Sequence, residues 1–401
     1  MPMSNCLACG GSTSGVLSLG DVPLARFPRI FWPEAVPAAP LDLVICNQCE
    51  LVQLAQIVDR HELFAEAYGY RSGTNEAMRA ELCDVADSAI HHIGELHPED
   101  WILDIGANDG TLLQHFSESG VLLMPFEPCA QFDDELDIFP HRRHWFPADA
   151  GNLPIHTARI ITTIAMFYSS PNPKAFCTAI ARLLAPQGLW IVQFQDLAQL
   201  VRANAFDDIC HEHVAYYSLR TFERVIQTAG LEVVHLQTRP INGGSLRLYV
   251  QHCGVRPPSA AVAAQRMIER DLVDELTAFA HRVPWVRNEI RDLVLSERGA
   301  VDVYGASTKG NTLLHVCGLD WRQLRHAIER QPSKVGCYYG ASGIPIVDEA
   351  TGRRDPATAW LVPIWQFADQ VVAREQNYLA QGGRLLFPLP VPRVIGQVEA
   401  A

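Results

Sequence analysis

Nowhere in these 401 residues do about 18 apolar residues follow one another, so no membrane-crossing helix is expected. The opening residues MPMSNCLACGG carry neither the basic nor the apolar segment of a secretory leader, which predicts a cytoplasmic chain. Basic charge is scarce as well. Against 45 Asp and Glu stand 32 Lys and Arg, giving a net charge of -13, and the cations are scattered rather than massed on one stretch. A nucleic-acid footprint, which needs a basic face, is therefore not expected, and neither nucleic acid nor membrane is expected as a partner. Low-complexity tracts and a convincing internal repeat are missing too. Without an oxidising compartment, the 11 cysteines are read first as metal ligands or small buried side chains rather than as disulfides.

What is present is enough apolar material, 48% of residues, for more than one core. Residues 1–65 mix cysteine pairs with prolines and short apolar pieces, too thin for a large core unless a metal adds stability. Residues 66–256 alternate strand-like runs (WILDIG, VLLMPF, RIITTIAM, GLWIVQF) with helix-length stretches, the order of a doubly wound, largely parallel sheet. Residues 257–296 carry helical periodicity punctuated by Pro284 and predict a bridging helical pair. Residues 297–401 open on VDVYGASTKGNTLLHV, another strand, glycine turn and helix, and predict a second, smaller α/β unit. The expected fold is thus α/β, with a Rossmann-like central unit flanked by a small N-terminal metal-binding unit and a C-terminal Rossmann-like one.

Two CxxC pairs, Cys6 with Cys9 and Cys46 with Cys49, can offer four thiolates to a structural Zn²⁺, although the gap between them is longer than in common zinc ribbons. In WILDIGANDGTLLQHF, a strand runs into a turn bearing Gly106, Asn108 and Gly110 and then into a helix. Asp104 and Asp109 at that turn would repel a pyrophosphate and attract a cation, and a third glycine for a dinucleotide is missing. S-adenosylmethionine, with an ammonium and a sulfonium and no phosphate, fits such a loop. Glu127, ending the next strand, stands where a carboxylate accepts both ribose hydroxyls, and Asp149, after a third strand, is a candidate contact for the adenine amine.

Downstream, AFDDICHEHVAYYS sets His211, Glu212 and His213 in a row, and adjacent ligands do not share a helix face as those of HExxH do. Acid–base chemistry is the preferred reading, with a histidine taking a proton and a carboxylate beside it. Tyr70, in AYGYRSG, and Tyr168, in IAMFYSS, could reach the same crevice.

Taken together, CxxCGG, CNQCELVQL, YGYRSG, LDIGANDGTLL, FDDICHEHVAYYS, NGGSLRLYV and GASTKGNTLL, in that order, make the chain resemble the sugar C-methyltransferases that act on nucleotide-linked deoxyketosugars. The resemblance covers nearly the full length. It implies an N-terminal zinc domain, a central S-adenosylmethionine domain and a C-terminal domain that helps to hold the nucleotide-sugar. It further implies His213 as the base that removes a proton beside the ketone, Glu212 and Tyr70 lining the sugar pocket, and Lys309 with Asn311 facing the phosphates. Asn242 and Lys334 are assigned to the substrate on the same ground. Three positions depart from the pattern: Cys210 precedes His211 where relatives often have tyrosine, Tyr168 lies where they often present histidine, and Asn242 opens a segment commonly HGGS. The rival readings are an O- or N-methyltransferase of another small molecule, and a zinc-containing binding protein without catalysis.

Overall fold

A computed structural model describes residues 5–31, 36–64, 70–117 and 120–396. Three sheets carry the chain. In order, the strands are β1 (Thr13–Pro23), β2 (Ala38–Cys46), β3 (Val52–Leu54), β4 (Trp101–Ile105), β5 (Leu122–Phe126), β6 (Ala158–Ile164), β7 (Leu184–Gln195), β8 (Ala215–Tyr216), β9 (Leu231–Arg239) and β10 (Ser245–His252). The remainder are β11 (Val301–Tyr304), β12 (Ala327–Glu329), β13 (Tyr338–Tyr339), β14 (Ile344–Asp348), β15 (Ala359–Leu361), β16 (Arg384–Phe387) and β17 (Arg393–Ile395).

The central sheet has the order β5-β4-β6-β7-β10-β9. Strands β4 to β7 are mutually parallel because helices cross between them, and β10 runs antiparallel to both of its neighbours. Ile102, Leu103 and Ile105 are at most 1% exposed, as expected of a strand covered on both faces. The strand expected before Asp149 is not formed: only an isolated bridge, Phe126 to Arg142, joins that stretch to β5. It would have been an edge strand beyond β5, and its residues HRRHWFPADA, charged and interrupted by Pro147, leave little apolar surface or continuous N–H ladder to pair there. The helix Glu76–Ile93 is clamped onto β9 and β10 by a buried ionic cluster, with Arg247 donating to Glu81 at 2.7 Å and Arg239 to Glu81 at 2.8 Å. Arg247 is fully buried, so the pairing is what makes its charge tolerable there.

The last sheet has the order β13-β14-β12-β11-β15-β16-β17 and is parallel from β14 through β16. Before it, the helical stretch consists of Ala260–Ile268 and Leu272–Leu295, separated at residues 269–271. Pro284 lies inside the second helix rather than between the two. It is exposed, so the hydrogen bond it cannot donate faces solvent while Val283 and Val286 stay packed.

The N-terminal sheet, β1-β2-β3-β8, borrows its fourth strand from the central unit. Val52 pairs with Tyr216 and Gln53 with Ala215, immediately after the HEH segment. Val22, Leu41 and Leu54 enter one continuous core with Leu276, Leu313 and Trp360 of the later segments. The apolar pieces that were too thin for a core of their own are thus buried against the rest of the molecule. Among the described residues no helix is long and apolar enough to cross a membrane.

Candidate active site and metal knot

The turn holding Cys6 and Cys9 and the turn following β2 meet so that the four cysteine sulfurs lie within 4.8 Å of one another. The Sγ atoms of Cys6 and Cys49 are 3.4 Å apart, as are those of Cys9 and Cys46. A zinc tetrahedron with Zn–S near 2.3 Å has sulfur–sulfur edges of about 3.8 Å, so the set fits with little movement. Backbone N–H groups of Gly11, Gln48 and Cys49 point at the sulfurs of Cys9 and Cys46, the second layer that thiolates need. A hydrogen bond with Cys49 lowers the Cys6 thiol to about 5, while the same contact raises Cys49. Four sulfurs so packed cannot all ionise without a cation among them.

A cleft of about 1160 Å³ opens above the carboxyl ends of β4, β5 and β6. Gly106 is there with φ +77°, and a Cβ on it would stand 2.8 Å from Met166 Cγ, so both backbone sign and space demand glycine. Glu127 is 5% exposed; its carboxylate accepts from the N–H of Asn108 and of Cys129, both at 2.9 Å, and keeps further lone pairs for a ligand. Burial raises Glu127, and the Cys129 and Asn108 N–H groups oppose that rise. Asp104, beneath the cleft, accepts from Thr162 Oγ1 at 2.7 Å and is pushed up to about 7 by burial. An approaching cation would restore its charge. Arg60, Phe64, Trp145 and Phe146 wall the far side, with the Arg60 guanidinium 4.6 Å from the Trp145 ring. These residues fit S-adenosylmethionine: carboxylates for its cationic end and ribose, an aromatic wall for its ring.

Three expected donor-site residues have other surroundings. Asp109 accepts from Gly73 N at 2.8 Å and from Thr111 Oγ1 at 2.6 Å, and Asn108 accepts from Ser72 N at 2.9 Å while donating to the Tyr70 carbonyl at 3.2 Å. Together they strap the Tyr70–Gly73 segment onto the glycine turn. Asn108 still lines the cleft, whereas Asp109 and Gly110 do not. Gly110, at φ +73°, starts the short helix Thr111–Gln114. Asp149 lies 3.2 Å from the His144 ring nitrogen, outside the cleft. The first two residues of YGYRSG, at 68 and 69, fall outside the described residues.

Beyond the helix Leu197–Arg202 comes the turn Phe206–Asp208 and then the HEH segment. His213 and Tyr168 line the cleft with ring centroids 4.0 Å apart. Burial, and then the nearby Lys309 charge, lower His213 to about 3, so its imidazole is neutral at neutral pH. Burial raises the Tyr168 hydroxyl well above its ordinary value, which keeps it a donor. Glu212 and Tyr70 line both this cleft and a second one of about 1110 Å³. The second cleft also takes in Arg26, Arg71, Ser307, Thr308, Glu329 and Lys334. Lys334 donates to the Ala306 carbonyl at 2.7 Å and stands 4.4 Å from the Phe27 ring centroid.

His211 points elsewhere, its Nε2 3.1 Å from the Ala39 carbonyl in β2. Lys309 is ion-paired with Asp208 and donates to the Asn242 carbonyl at 3.0 Å. Asn311, 5% exposed, donates to the Pro23 carbonyl at 2.9 Å. None of Lys309, Asn311 and Asn242 lines the second cleft. The residues that reading the sequence missed are Arg26, which no motif distinguishes, Arg71, which stands inside YGYRSG without having been singled out, and the buried pair Asp207 and Asp208. The string FDD did carry that last signal, since two adjacent acids before an apolar residue become costly once the segment is enclosed.

Three family descriptions match consecutive stretches: a proposed zinc binding domain over residues 6–64, a methyltransferase domain over 75–236 and a C-methyltransferase C-terminal domain over 240–390. The chain is 29% identical over 416 aligned positions to C-methyltransferase NovU of Streptomyces niveus, covering 98% of this chain and 97% of that one. Among solved structures it is similar to the 1,6-didemethyltoxoflavin-N1-methyltransferase of Burkholderia thailandensis, at 14% identity over 51% of this chain and 97% of the other, with TM-score 0.37. It is also similar to an S-adenosylmethionine-dependent methyltransferase of Clostridium acetobutylicum, at 12% identity over 44% of this chain and 92% of the other, with TM-score 0.35. With a four-cysteine knot, a donor cleft bordered by Glu127 and three matched stretches spanning the molecule, the chain is similar from end to end to C-methyltransferases that carry a zinc-binding domain and use S-adenosylmethionine.

Proposed function

We propose that the acceptor is a nucleotide-linked ketosugar, methylated on the carbon beside its ketone. One observation carries the reading: the donor cleft adjoins a second cleft across Tyr70 and Glu212, and that second cleft holds Arg26, Arg71 and Lys334 beside Glu62 and Glu329; Arg26 and Arg71 pair with the half-exposed Glu62 and Glu135, weak surface pairs from which a diphosphate can draw them. The second cleft also reaches Ser307 and Thr308, where the helix Thr308–Val316 begins and its N–H groups favour anions.

Held by Glu127 and the glycine turn, S-adenosylmethionine would supply an electrophilic methyl whose bond to sulfur breaks as the new C–C bond forms, giving a neutral sulfide. The neutral His213 imidazole takes the proton from the carbon beside the ketone, and the electron pair of that C–H bond becomes the nucleophile that forms the new C–C bond. Tyr168 and Tyr70 donate hydrogen bonds to the oxygen on which negative charge gathers, and burial keeps the Tyr168 hydroxyl protonated. The enolate that forms beside His213 stabilises the imidazolium and so strengthens the imidazole as a base. Glu212 bounds the sugar, and the cations of the second cleft bind what is attached to it. The phosphate-facing role moves from Lys309 and Asn311 to Arg26, Arg71 and Lys334.

The test is incubation with methyl-labelled S-adenosylmethionine and a panel of nucleotide-linked 4-ketosugars, with the label located by mass spectrometry. In deuterium oxide without donor, an accepted sugar should exchange the hydrogen beside its ketone. Label on oxygen, or transfer only to acceptors without a ketone, overturns the proposal.

A further inference from the structure

The pair Asp208 and Lys309 lies behind the reacting centre, not in it. Asp208 is fully buried, two residues before Cys210 in the loop that carries His213, and its carboxylate meets Lys309 from the second position of the helix Thr308–Val316. Gln195, at the end of β7, donates to the other Asp208 oxygen. The same helix grips the loop a second time: Thr312 Oγ1 donates to the Ile209 carbonyl at 3.2 Å. The Lys309 ammonium also donates to the carbonyl of Asn242, a residue at φ +56° in the NGGS turn. One ammonium therefore ties the catalytic loop, the turn before β10 and the C-terminal unit at a single point. On its outer side the helix start, Ser307 and Thr308, borders the acceptor cleft. In a chain with three lysines, Lys174, Lys309 and Lys334, this one is spent on a buried carboxylate.

We infer that Lys309 is a positioning residue: its ion pair with Asp208 fixes the loop from Phe206 to His213, so that the imidazole of His213 is held against Tyr168 and towards the donor cleft. The inference rests on the proposed role of His213 as base. An isolated buried carboxylate is unstable without its partner, so removal of the ammonium frees Asp208 to take up a proton or move, and the loop with it. Electrostatics and geometry make opposite forecasts here. The Lys309 charge opposes protonation of His213, so its removal alone would strengthen the base. A loss of turnover on removing it therefore reports lost geometry. Tyr168 and Tyr216 pack against the same ring.

The experiment uses the full chain with a ketosugar acceptor found in the labelling panel. Lys309→Met should lower kcat at least tenfold, with the acceptor KM and S-adenosylmethionine affinity within threefold of the parent, and Lys309→Arg should recover part of the loss. Deuterium uptake in the 206–213 peptide should rise in Lys309→Met. The double variant Asp208→Asn with Lys309→Met leaves no unpaired buried charge and supplies a folded sample with the same expected kcat deficit. In a His213→Ala background Lys309→Met should cost less than twofold, since a residue acting through His213 has nothing left to position. Equal losses in both backgrounds, a tenfold rise in acceptor KM at unchanged kcat, or parent-like turnover and deuterium uptake each overturn the inference. Parent-like turnover of His213→Ala alone sinks the base assignment instead, while the deuterium uptake still reports whether Lys309 holds the loop.

Discussion

Val214 is held from both sides: its N–H donates to the Tyr168 carbonyl at 3.0 Å, and its own carbonyl accepts from the Leu54 N–H of β3 at 3.0 Å. The residue next to His213 is thereby stitched to the donor cleft on one side and to the metal-bearing sheet on the other.

Substituting His213 by alanine should cut turnover by about 10² to 10⁴, the usual worth of a general base, while calorimetric affinity for S-adenosylmethionine changes little. Tyr168→Phe should lose less, about tenfold, because it removes one donor to a developing oxyanion that Tyr70 also serves. Turnover of either variant equal to the parent would remove that residue from the scheme.

Glu127→Ala should weaken S-adenosylmethionine by roughly 10- to 150-fold, the equivalent of about 1.5 to 3 kcal/mol for hydrogen bonds to a buried carboxylate. Part of the loss would come from the Asn108 and Cys129 N–H groups, which now end on Glu127. Titration calorimetry reads it directly. An unchanged affinity would show that the ribose is held elsewhere.

Loss of the metal should reach the reacting centre without reaching the donor site. Cys9→Ser is expected to bring metal content below one zinc per chain by elemental analysis and to lower Tm by on the order of 10 °C. Because β3 pairs with β8, directly after His213, turnover should fall well beyond any change in S-adenosylmethionine affinity. A metal-free variant with parent-like kcat would break this link between knot and loop.

Asp207 gives the molecule a pH signature. Burial first, and then the neighbouring Asp208, push it up to about 8, and its Oδ2 accepts from Trp365 Nε1 at 2.9 Å. Raised above its unfolded value, it contributes its full stability below about pH 4 and loses that contribution as pH climbs to about 8, because the unfolded chain releases a proton the folded chain retains. Asp207→Asn keeps an acceptor for Trp365 and cannot ionise, so its stability relative to the parent should improve between pH 5 and pH 8 by about 1 to 3 kcal/mol. Denaturant melts at the two pH values check it, and a pH-independent difference would mean that Asp207 is ionised in the fold.

The sequence by itself determined the parts whose chemistry is local. CxxC twice brings two thiols to each turn, LDIGANDG ends a strand in a positive-φ glycine, and Glu127 closes the following strand, so the knot, the turn and its carboxylate were legible from spacing and residue type. Motif adjacency could not decide which side chains point together. Of His211, Glu212 and His213, three neighbours in the chain, one turns to Ala39 in β2 and two to the clefts, because the loop is held by contacts with distant segments, β8 joining the N-terminal sheet at one end and the helix Thr308–Val316 meeting Asp208 and Ile209 at the other. Lys309 follows a glycine turn that suggests a phosphate, yet the helix it begins packs against the loop at Asp208 and Ile209, and a buried carboxylate claims the ammonium. A charge goes to the partner whose desolvation would otherwise be costliest, and that partner is identified only once the tertiary packing has buried it.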